Sequence, residues 1–339
     1  MEPILTVNNL KTTFHTSSGA VQAVRGITFE VGKGEIVGIV GESGSGKSVS
    51  SMSILRLLPD TAHIDPNSSI LFEGEELSSI SIKRLREVRG QKIAMIFQDP
   101  MSSLNPLIRV GKQVEEMMKI HHKEISKEQI HERALELFRQ VRITEPEKRF
   151  KEFPHQFSGG MRQRVMIAMA LANKPDLLIA DEPTTALDVT IQDQILKQLR
   201  ALQQESEASI IFITHDLGVV AELCQRVLVM YGGLIMEEAP IDDLFERPLH
   251  PYTLGLLASI PALNQDKAGR LASIPGSPPD MTKPPEGCPF APRCPYARQI
   301  CAKEQPPYVH FGEHRRSMCW LLQPDAPDEN NPFRKEAAI

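Results

Sequence analysis

The chain lacks any long apolar stretch. Its longest apolar run, Val165–Ala172, has eight residues, whereas a helix that crosses a membrane needs about 20. The N-terminus begins with the acidic sequence Met1-Glu2-Pro3 and shows no signal-peptide pattern. We therefore expect a soluble chain that reaches a membrane only through partners.

Aromatic residues make up only 5% of the 339 residues, and the net charge is -5. An acidic balance argues against a general nucleic-acid binder, which is usually basic. There are only five cysteines, and without an export signal we expect reduced thiols or metal ligands rather than disulfides. The length suffices for about two domains.

What is present centres on the loop Gly41–Ser48, which fits the phosphate-binding pattern of Gly, four residues and Gly-Lys-Ser/Thr. An apolar strand is predicted over residues 35–40, and a helix is predicted from Ser48 to about Leu58. In that context backbone N–H groups and a helix N-terminus can bind phosphate. Lys47 can reach the β- and γ-phosphates, and the Ser48 hydroxyl can ligate Mg²⁺. The predicted nucleotide contacts of this loop are Gly41, Ser43, Gly44, Ser45, Gly46, Lys47, Ser48 and Val49.

Two residues outside the loop are further candidates for the nucleotide site. Residues 4–40 predict a few antiparallel strands, and Phe14 on this approach could stack on an adenine base. By residue type alone, however, a core position is favoured for Phe14. Gln98 follows a strand predicted over 92–97, and ligands bind at the carboxyl ends of strands in open α/β sheets.

The middle of the chain predicts a helical subdomain and a second anion site. Residues 110–150 are charged and have the apolar spacing of helices. Ser158-Gly159-Gly160 then opens a helix predicted from Met161 to about Ala172. Backbone N–H groups at that helix start can bind an anion; a plain helix N-cap is the alternative.

Carboxylates and a histidine follow two further predicted strands. Asp181 ends an apolar strand and can hold Mg²⁺, as the acidic residue does in phosphate-loop NTPases. The adjacent Glu182 can polarise an attacking water as general base. His215 follows a strand predicted over 209–214 and can hydrogen-bond a γ-phosphate. A strand-capping role is the alternative for His215.

The composition changes after Pro240, where proline becomes frequent and helices are predicted only at 241–247 and 252–260. This loop-rich tail carries four cysteines, separated by five, six and seventeen residues: Cys288, Cys294, Cys301 and Cys319. We expect such a tail to bury little surface, so that a metal could hold it together. An iron–sulfur cluster, a zinc ion on three cysteines and His314, and four unrelated thiols are the alternatives. Cys224 is expected to be a core thiol.

Taken in order, these motifs resemble the ATP-binding-cassette (ABC) family over residues 1–240. The phosphate loop and Gln98 are followed by Phe157–Met161, Asp181-Glu182, Thr185–Asp188 and His215, in the places of the family's Q-loop, signature, Walker B, D-loop and H-switch. Phe157 and Met161 depart from the commonest signature, LSGGQ. The segments Phe97–Pro106 and His250–Thr253, with the cysteine tail, resemble the dipeptide/oligopeptide permease ATPases.

The resemblance implies an α/β fold of the P-loop NTPase (RecA-like) type. It implies an ABC cassette over 1–240 with a β-rich N-terminal subdomain and a helical subdomain inserted at about 100–172. The Cys/Pro-rich C-terminal extension would be the family's oligopeptide/dipeptide transporter region, at 241–339.

The resemblance also implies a mechanism. Two cassettes would sandwich two ATP molecules, each phosphate loop facing the partner's Ser158–Gly160. Ser48, Gln98 and Asp181 would hold Mg²⁺. Glu182, His215, Gln98 and Lys47 would be catalytic, Asp188 would lie at the nucleotide, and the four tail cysteines would hold a 4Fe–4S cluster.

The implied partners are a second, related ATPase in a heterodimer, two transmembrane permease subunits and, indirectly, an extracytoplasmic peptide-binding protein. A homodimer is the alternative. One permease subunit would insert a short helix near residues 98–110. The chain would lie at the cytoplasmic face of the cell membrane and energise uptake of peptides. Alternatives are a machine for another solute such as nickel, and a non-transport cassette. A nucleic-acid-associated cassette is disfavoured because no coiled coil is predicted, and a non-hydrolysing one because Lys47, Glu182 and His215 are intact.

Overall fold

The structure is a computed structural model that describes residues 2–99, 103–185, 189–260, 273–324, 326 and 331–333. The strands are β1 Pro3–Thr16, β2 Gly19–Gly32, β3 Ile36–Val40, β4 Ala62–Ile64, β5 Ser69–Phe72, β6 Glu75–Glu76, β7 Ile93–Ile96, β8 Leu177–Asp181, β9 Ser209–Thr214, β10 Arg226–Tyr231, β11 Leu234–Pro240, β12 Tyr308–Gly312 and β13 Arg315–Met318. The helices are α1 Lys47–Ile54, α2 Ile82–Val88, α3 Val110–His121, α4 Lys127–Gln140, α5 Pro146–Arg149, α6 Gly159–Leu171, α7 Val189–Ser206, α8 Leu217–Leu223, α9 Ile241–Glu246, α10 Pro251–Ala258 and α11 Gln299–Lys303. Among the helices in the described ranges, none is both long and apolar enough to span a membrane.

The chain divides into two compact units. The first unit comprises Met1–Ile4, Val31–Glu35 and Ser79–Ile213, and the second comprises Leu5–Glu30, Ile36–Ser78 and Thr214–Ile339. This division by contacts differs from the predicted boundary near residue 240, which stays a prediction.

A parallel sheet forms the centre of the first unit. Strand β8 lies between β7 and β9, with Leu177 paired to Ile93 on one side and to Ser209 on the other. Every residue of β8 and β9 is buried, as expected for parallel strands that are covered on both faces. The apolar runs that predict these strands therefore also fix where their carboxyl ends lie.

The helical part of the first unit is built on α3, α4 and α6, which pack against one another. Gly111 in α3 lies so close to α5 and its C-cap that an added Cβ would stand 2.2 Å from the Phe150 ring. Near the middle of α3, the buried Glu115 accepts bonds from Lys112 at 2.9 Å, Lys119 at 2.8 Å and His131 at 3.0 Å. Burial acts to raise the pKa of Glu115, but the bonds from these three side chains lower it to about 2.

The second unit contains an antiparallel sheet with β1 at its centre. The order is β2-β1-β5-β6, and β4 pairs with the far end of β1, where Phe14 lies opposite Ala62. A second group of strands begins with β3, which runs parallel to β10. Strands β11, β13 and β12 then continue it with antiparallel pairings.

The tail differs from the predicted loop-rich segment. Strands β12 and β13 extend the sheet at β11, where Glu238 pairs with Arg316. The buried Glu238 carboxylate accepts bonds from Arg226 and, at 2.7 Å, from Arg316. The tail also contributes to an apolar cluster of Leu249, Cys319, Leu321, Leu322 and Phe333. The expectation that the tail buries little surface was wrong. Arg316 of β13 bonds the buried Glu238 carboxylate, and apolar tail residues such as Leu321 and Leu322 pack in the buried cluster.

Candidate nucleotide-binding site

The phosphate loop of the second unit connects β3 to α1, as predicted. Gly44 and Gly46 have φ values of 79° and 103°, a region that favours glycine. A Cβ on Gly41 would stand 2.2 Å from the Met230 carbonyl oxygen. The Gly233 N–H donates to the Ser45 carbonyl at 3.1 Å. The turn after β10 therefore fixes the loop, and the glycines allow this close approach.

The Lys47 side chain is buried and lies under the loop. Its ammonium donates to the carbonyl oxygens of Gly41 at 2.7 Å and Glu42 at 3.1 Å. Within the described part of the chain, the buried Ser45 hydroxyl has no hydrogen-bond partner. Since buried polar groups are normally satisfied, this orphan hydroxyl fits a loop that holds a polar ligand.

Phe14 lies on the face of β1 that points towards α1. Thr12, two residues earlier and so on the same face, has its hydroxyl 2.9 Å from that of Ser53 in α1. Phe14 itself is only half-buried. Partial exposure near the phosphate-loop helix suits a stacking platform, and the adenine contact stays a prediction.

The first unit brings Gln98 and Glu182 together. The Glu182 carboxylate accepts bonds from Gln98 Nε2 at 3.0 Å and from the Thr185 hydroxyl at 2.8 Å. Its backbone N–H donates to the Ile213 carbonyl at 2.9 Å, and its φ is 46°. This left-handed conformation is uncommon and costly for a non-glycine residue. Asp181, the last residue of β8, is 4% exposed.

Thr185 belongs to this site, although the sequence analysis named it only as the start of the Thr185–Asp188 motif and gave it no contact with Glu182. Its backbone N–H donates to the Glu182 carbonyl at 3.2 Å, closing a tight turn. The available signal was a hydroxyl residue three positions after the carboxylate, which such a turn brings back to it. The predicted nucleotide contact Asp188 lies outside the described residues.

Ser158 caps α6, with its hydroxyl accepting a bond from the Met161 N–H at 3.3 Å. A Cβ added at Gly159 would meet no atom within 4 Å, so the helix start can be approached by a ligand. A cavity of about 600 Å³ lies there, lined by Arg142, Ile143, Thr144, Ser158, Gly159, Gly160, Met161, Arg164, Ile191 and Gln194. The N-cap interpretation and the anion-site interpretation are thus compatible.

His215 follows β9 directly and is exposed. The next residue, Asp216, accepts bonds from the Gly218 and Val219 N–H groups at 2.8 and 3.4 Å, and thereby caps α8. Its own N–H donates to the Thr214 hydroxyl at 3.0 Å. The backbone on either side of His215 is therefore fixed. The second unit holds His215 together with the phosphate loop and Phe14, and the first holds Gln98, Asp181, Glu182 and Ser158.

The four tail cysteines line one small cavity of about 20 Å³: Cys288, Cys294, Cys301 and Cys319. The Cys288 N–H donates to the Cys301 carbonyl at 2.8 Å. Burial raises the pKa of Cys288 to about 12 and that of Cys294 to about 11. A bound cation would lower these values, because it stabilises thiolates.

The structure separates the proposed zinc ligand His314 from these cysteines. His314 lies in another cavity and stands 3.6 Å from the Glu238 carboxylate, while the histidine that lines the cysteine cavity is His250. Over the described ranges, no group of three or more His, Cys, Asp or Glu side chains is arranged to hold a metal ion. Thiols are the donor type that iron–sulfur clusters use, and the four cysteines share one cavity, but they are not arranged as a metal-binding group. The zinc set with His314 is not brought together either.

Known protein families match two regions of the chain. Residues 24–185 match the family model "ABC transporter", and residues 236–301 match "Oligopeptide/dipeptide transporter, C-terminal region". A solved dimeric ATP-binding cassette, described as a post-hydrolysis state bound to ADP and Pi, is similar with a TM-score of 0.64 and 28% identity. That match covers 70% of this chain and 98% of the other.

Curated relatives are similar over nearly the full length. The oligopeptide transport ATP-binding protein OppD of Bacillus subtilis is 53% identical over 99% of this chain and 94% of its own. The dipeptide transport ATP-binding protein DppD of the same organism is 50% identical over 95% of each chain. The Lactococcus lactis DppD is 48% identical over 96% of this chain and 93% of its own.

Proposed function

The chain belongs to the ABC transporter family of ATP-binding subunits, and we propose that it is the ATP-hydrolysing subunit of an importer that takes up peptides. One observation carries the proposal: relatives named for oligopeptide and dipeptide transport share about half their residues with this chain along nearly its whole length. Residues 236–301 also match the family model for the C-terminal region of oligopeptide/dipeptide transporters. The solute itself would be selected by other subunits.

In the proposed mechanism the loop amides and Lys47 hold the ATP phosphates. Lys47 supports this role because it is buried and already anchored to the loop carbonyls. Glu182 polarises the attacking water, with its carboxylate oriented by Gln98 and Thr185. His215 steadies the γ-phosphate.

Ser48, Gln98 and Asp181 are the proposed Mg²⁺ ligands, and their oxygen donors fit this hard cation. When bound, Mg²⁺ neutralises charge on the phosphates. The buried Asp181 carboxylate at the end of β8 supports its assignment. Phe14 is the proposed adenine contact, and Ser158–Gly160 is the proposed contact to ATP held by a partner cassette.

We also propose that the four tail cysteines hold a 4Fe–4S cluster. Two observations support this proposal. All four cysteines line one cavity, and four thiols are the donor set that such clusters use. The role would be structural, since the cavity is lined by apolar and aromatic side chains such as Phe290 and Leu321.

ABC transporter ATPases work with transmembrane subunits, and the loop before α3 offers a docking surface for one. Leu107 is 84% exposed and Ile108 is 37% exposed. The buried Gln113 side chain donates to the carbonyls of Asn105 and Ile108 at 3.0 and 2.8 Å, so the loop presents these apolar residues on a fixed turn. Exposed apolar residues of this kind mark interaction sites.

We further propose a heterodimer with a second, related cassette, bound to two permease subunits at the cytoplasmic face of the membrane and served by a peptide-binding protein. Tagging this chain in its own cell and purifying it in mild detergent tests the assembly. One copy of this chain, one related ATPase and two permease subunits are expected. A transport-competent complex with two copies of this chain and no second cassette would contradict the heterodimer.

The solute is tested in the same cells. Replacing the chain with the Glu182→Gln variant should abolish uptake of labelled di- and oligopeptides and leave nickel uptake unchanged. Loss of nickel uptake with normal peptide uptake would favour the alternative solute.

A further inference from the structure

A salt bridge within the second unit joins the tail to the phosphate loop. Arg293 lies in the short turn between Cys288 and Cys294 and reaches Glu42, the second residue of the loop. Its Nη1 donates to one Glu42 carboxylate oxygen at 2.5 Å, and its Nη2 donates to the other at 3.0 Å. Such a bidentate pair fixes the orientation of the guanidinium relative to the carboxylate as well as the distance between them.

The Arg293 side chain is 5% exposed, and that of Glu42 is 28% exposed. Besides the two bonds to Glu42, Arg293 donates to the Tyr231 hydroxyl at 3.1 Å and to the carbonyls of Pro275 at 2.9 Å and Ile274 at 3.0 Å. These bonds account for all five guanidinium N–H donors. The buried guanidinium is therefore held in one orientation, and its charge is directed at the loop.

The residue whose side chain Arg293 holds, Glu42, also contacts Lys47. The Glu42 N–H donates to the Tyr252 hydroxyl at 2.9 Å, and the Glu42 carbonyl accepts the Lys47 ammonium at 3.1 Å. Glu42 is thus held at its side chain by Arg293 and at its backbone by Tyr252. A substitution at Arg293 can therefore alter the position of Lys47 through a single intervening residue, Glu42.

Glu42 also brings a negative charge into a loop that binds the phosphates of ATP. An unpaired carboxylate there would repel them, because like charges at short range in a partly buried site interact strongly. Arg293 neutralises this carboxylate and draws it towards the tail.

We propose that Arg293 is a positioning residue for ATP binding: through its paired bonds to Glu42, the cysteine-bearing tail orders the phosphate loop and cancels the loop's own negative charge. This role of Arg293 depends neither on the solute that is carried nor on whether the cysteines bind a cluster.

The test compares ATP affinity of the full-length chain in three variants, measured by equilibrium titration with a fluorescent ATP analogue and Mg²⁺. Arg293→Met removes the neutralising charge and should weaken binding about tenfold, or about 1.4 kcal/mol. Glu42→Gln removes the charge that needs neutralising and should weaken binding less than Arg293→Met does. The double variant should bind ATP more tightly than Arg293→Met alone, because no uncompensated carboxylate remains.

The double variant separates cancellation of the Glu42 charge from simple anchoring of the tail. If Arg293 only attached the tail, removing Glu42's charge as well would not restore affinity, and an equal or greater loss in the double variant overturns the proposal. Lys303→Met, which removes an exposed cation from the same tail, is the matched control and should bind as wild type.

Thermal unfolding and thiol labelling of each variant report whether the tail remains folded. If Arg293→Met unfolds the tail, Arg293→Lys serves in its place. It keeps the charge but loses the paired geometry, and it should show a smaller loss of affinity that Glu42→Gln does not repair. Wild-type affinity in a folded Arg293→Met or Arg293→Lys chain likewise refutes the proposal.

Discussion

The Glu182→Gln substitution separates ATP binding from hydrolysis. The Glu182 carboxylate oxygen that accepts both neighbouring bonds, from Gln98 at 3.0 Å and Thr185 at 2.8 Å, can be replaced by the glutamine amide oxygen. The substitution therefore preserves shape and both hydrogen bonds, and removes only the negative charge that polarises water.

Positioned general bases contribute roughly 10²- to 10⁴-fold to a rate, which corresponds to about 3 to 5 kcal/mol of activation free energy. We expect a loss of turnover in this range. ATP affinity should stay close to wild type, because the loop that holds the phosphates, with Lys47 anchored to its carbonyls, is unchanged.

The assay is single-turnover hydrolysis of radiolabelled ATP by the assembled complex, with ATP binding measured in parallel. Thr185→Val is the graded control. It removes one hydrogen bond from the carboxylate and should lower the rate by about two- to tenfold. Turnover of Glu182→Gln within twofold of wild type would refute the assignment of Glu182 as the base.

Three further predictions concern the rest of the chain. Leu107→Asp should weaken co-purification with the permease subunits at least about tenfold, since a carboxylate would be desolvated without a partner, while ATP binding stays unchanged. Cys294→Ser in anaerobically purified protein should reduce iron from about four atoms per chain to a small fraction. Glu115→Gln should destabilise the first unit by about 2 kcal/mol at pH 7, measured by urea unfolding, because bonds from three cationic or polar partners to a buried carboxylate are weakened.

The pH dependence of the Glu115 effect has a definite sign. The folded-state pKa of about 2 lies below the ordinary 4.5, so the contribution is present above about pH 4.5 and is lost as the pH falls towards 2. The stability difference between wild type and Glu115→Gln should therefore shrink on acidification. A constant difference would show that Glu115 acts by packing alone.

Two results would contradict the predictions for Leu107 and for the tail cysteines. Intact co-purification of Leu107→Asp would remove the loop before α3 from the docking surface. Lys123→Asp, which places a carboxylate at an exposed position after α3, is the control. Colourless wild-type protein that holds one zinc and no iron after anaerobic handling would rule out the cluster.

The nucleotide-binding parts of the fold were predictable because local sequence determines them. Short apolar runs bounded by polar residues identified β3, β7, β8 and β9, and the glycine pattern located the loop between β3 and α1. The predicted class, an α/β phosphate-loop cassette, is confirmed by the family and structural matches. Strand ends then indicated Gln98, Asp181, Glu182 and His215, whose functional roles stay predictions.

Other features depend on contacts between distant residues. Strands β12 and β13 were not predicted, because Arg315 and Arg316 interrupt any apolar alternation. The structure explains Arg316 by its bond to buried Glu238, 78 residues away in sequence. The bond of Arg293 to Glu42 spans 251 residues, and no local pattern indicates it. The cavity shared by the four cysteines likewise follows from the folding of the tail and not from their spacing.

The most direct test of the proposed function uses the purified transporter in proteoliposomes. ATP and Mg²⁺ supplied on the cassette side should drive accumulation of a labelled peptide delivered by the binding protein on the other side, with ATP hydrolysis stimulated by the same peptide. The complex that carries Glu182→Gln should bind ATP without accumulating peptide. Peptide accumulation that proceeds equally well with the Glu182→Gln complex, or an active wild-type complex that hydrolyses ATP but transports no peptide, would contradict the account.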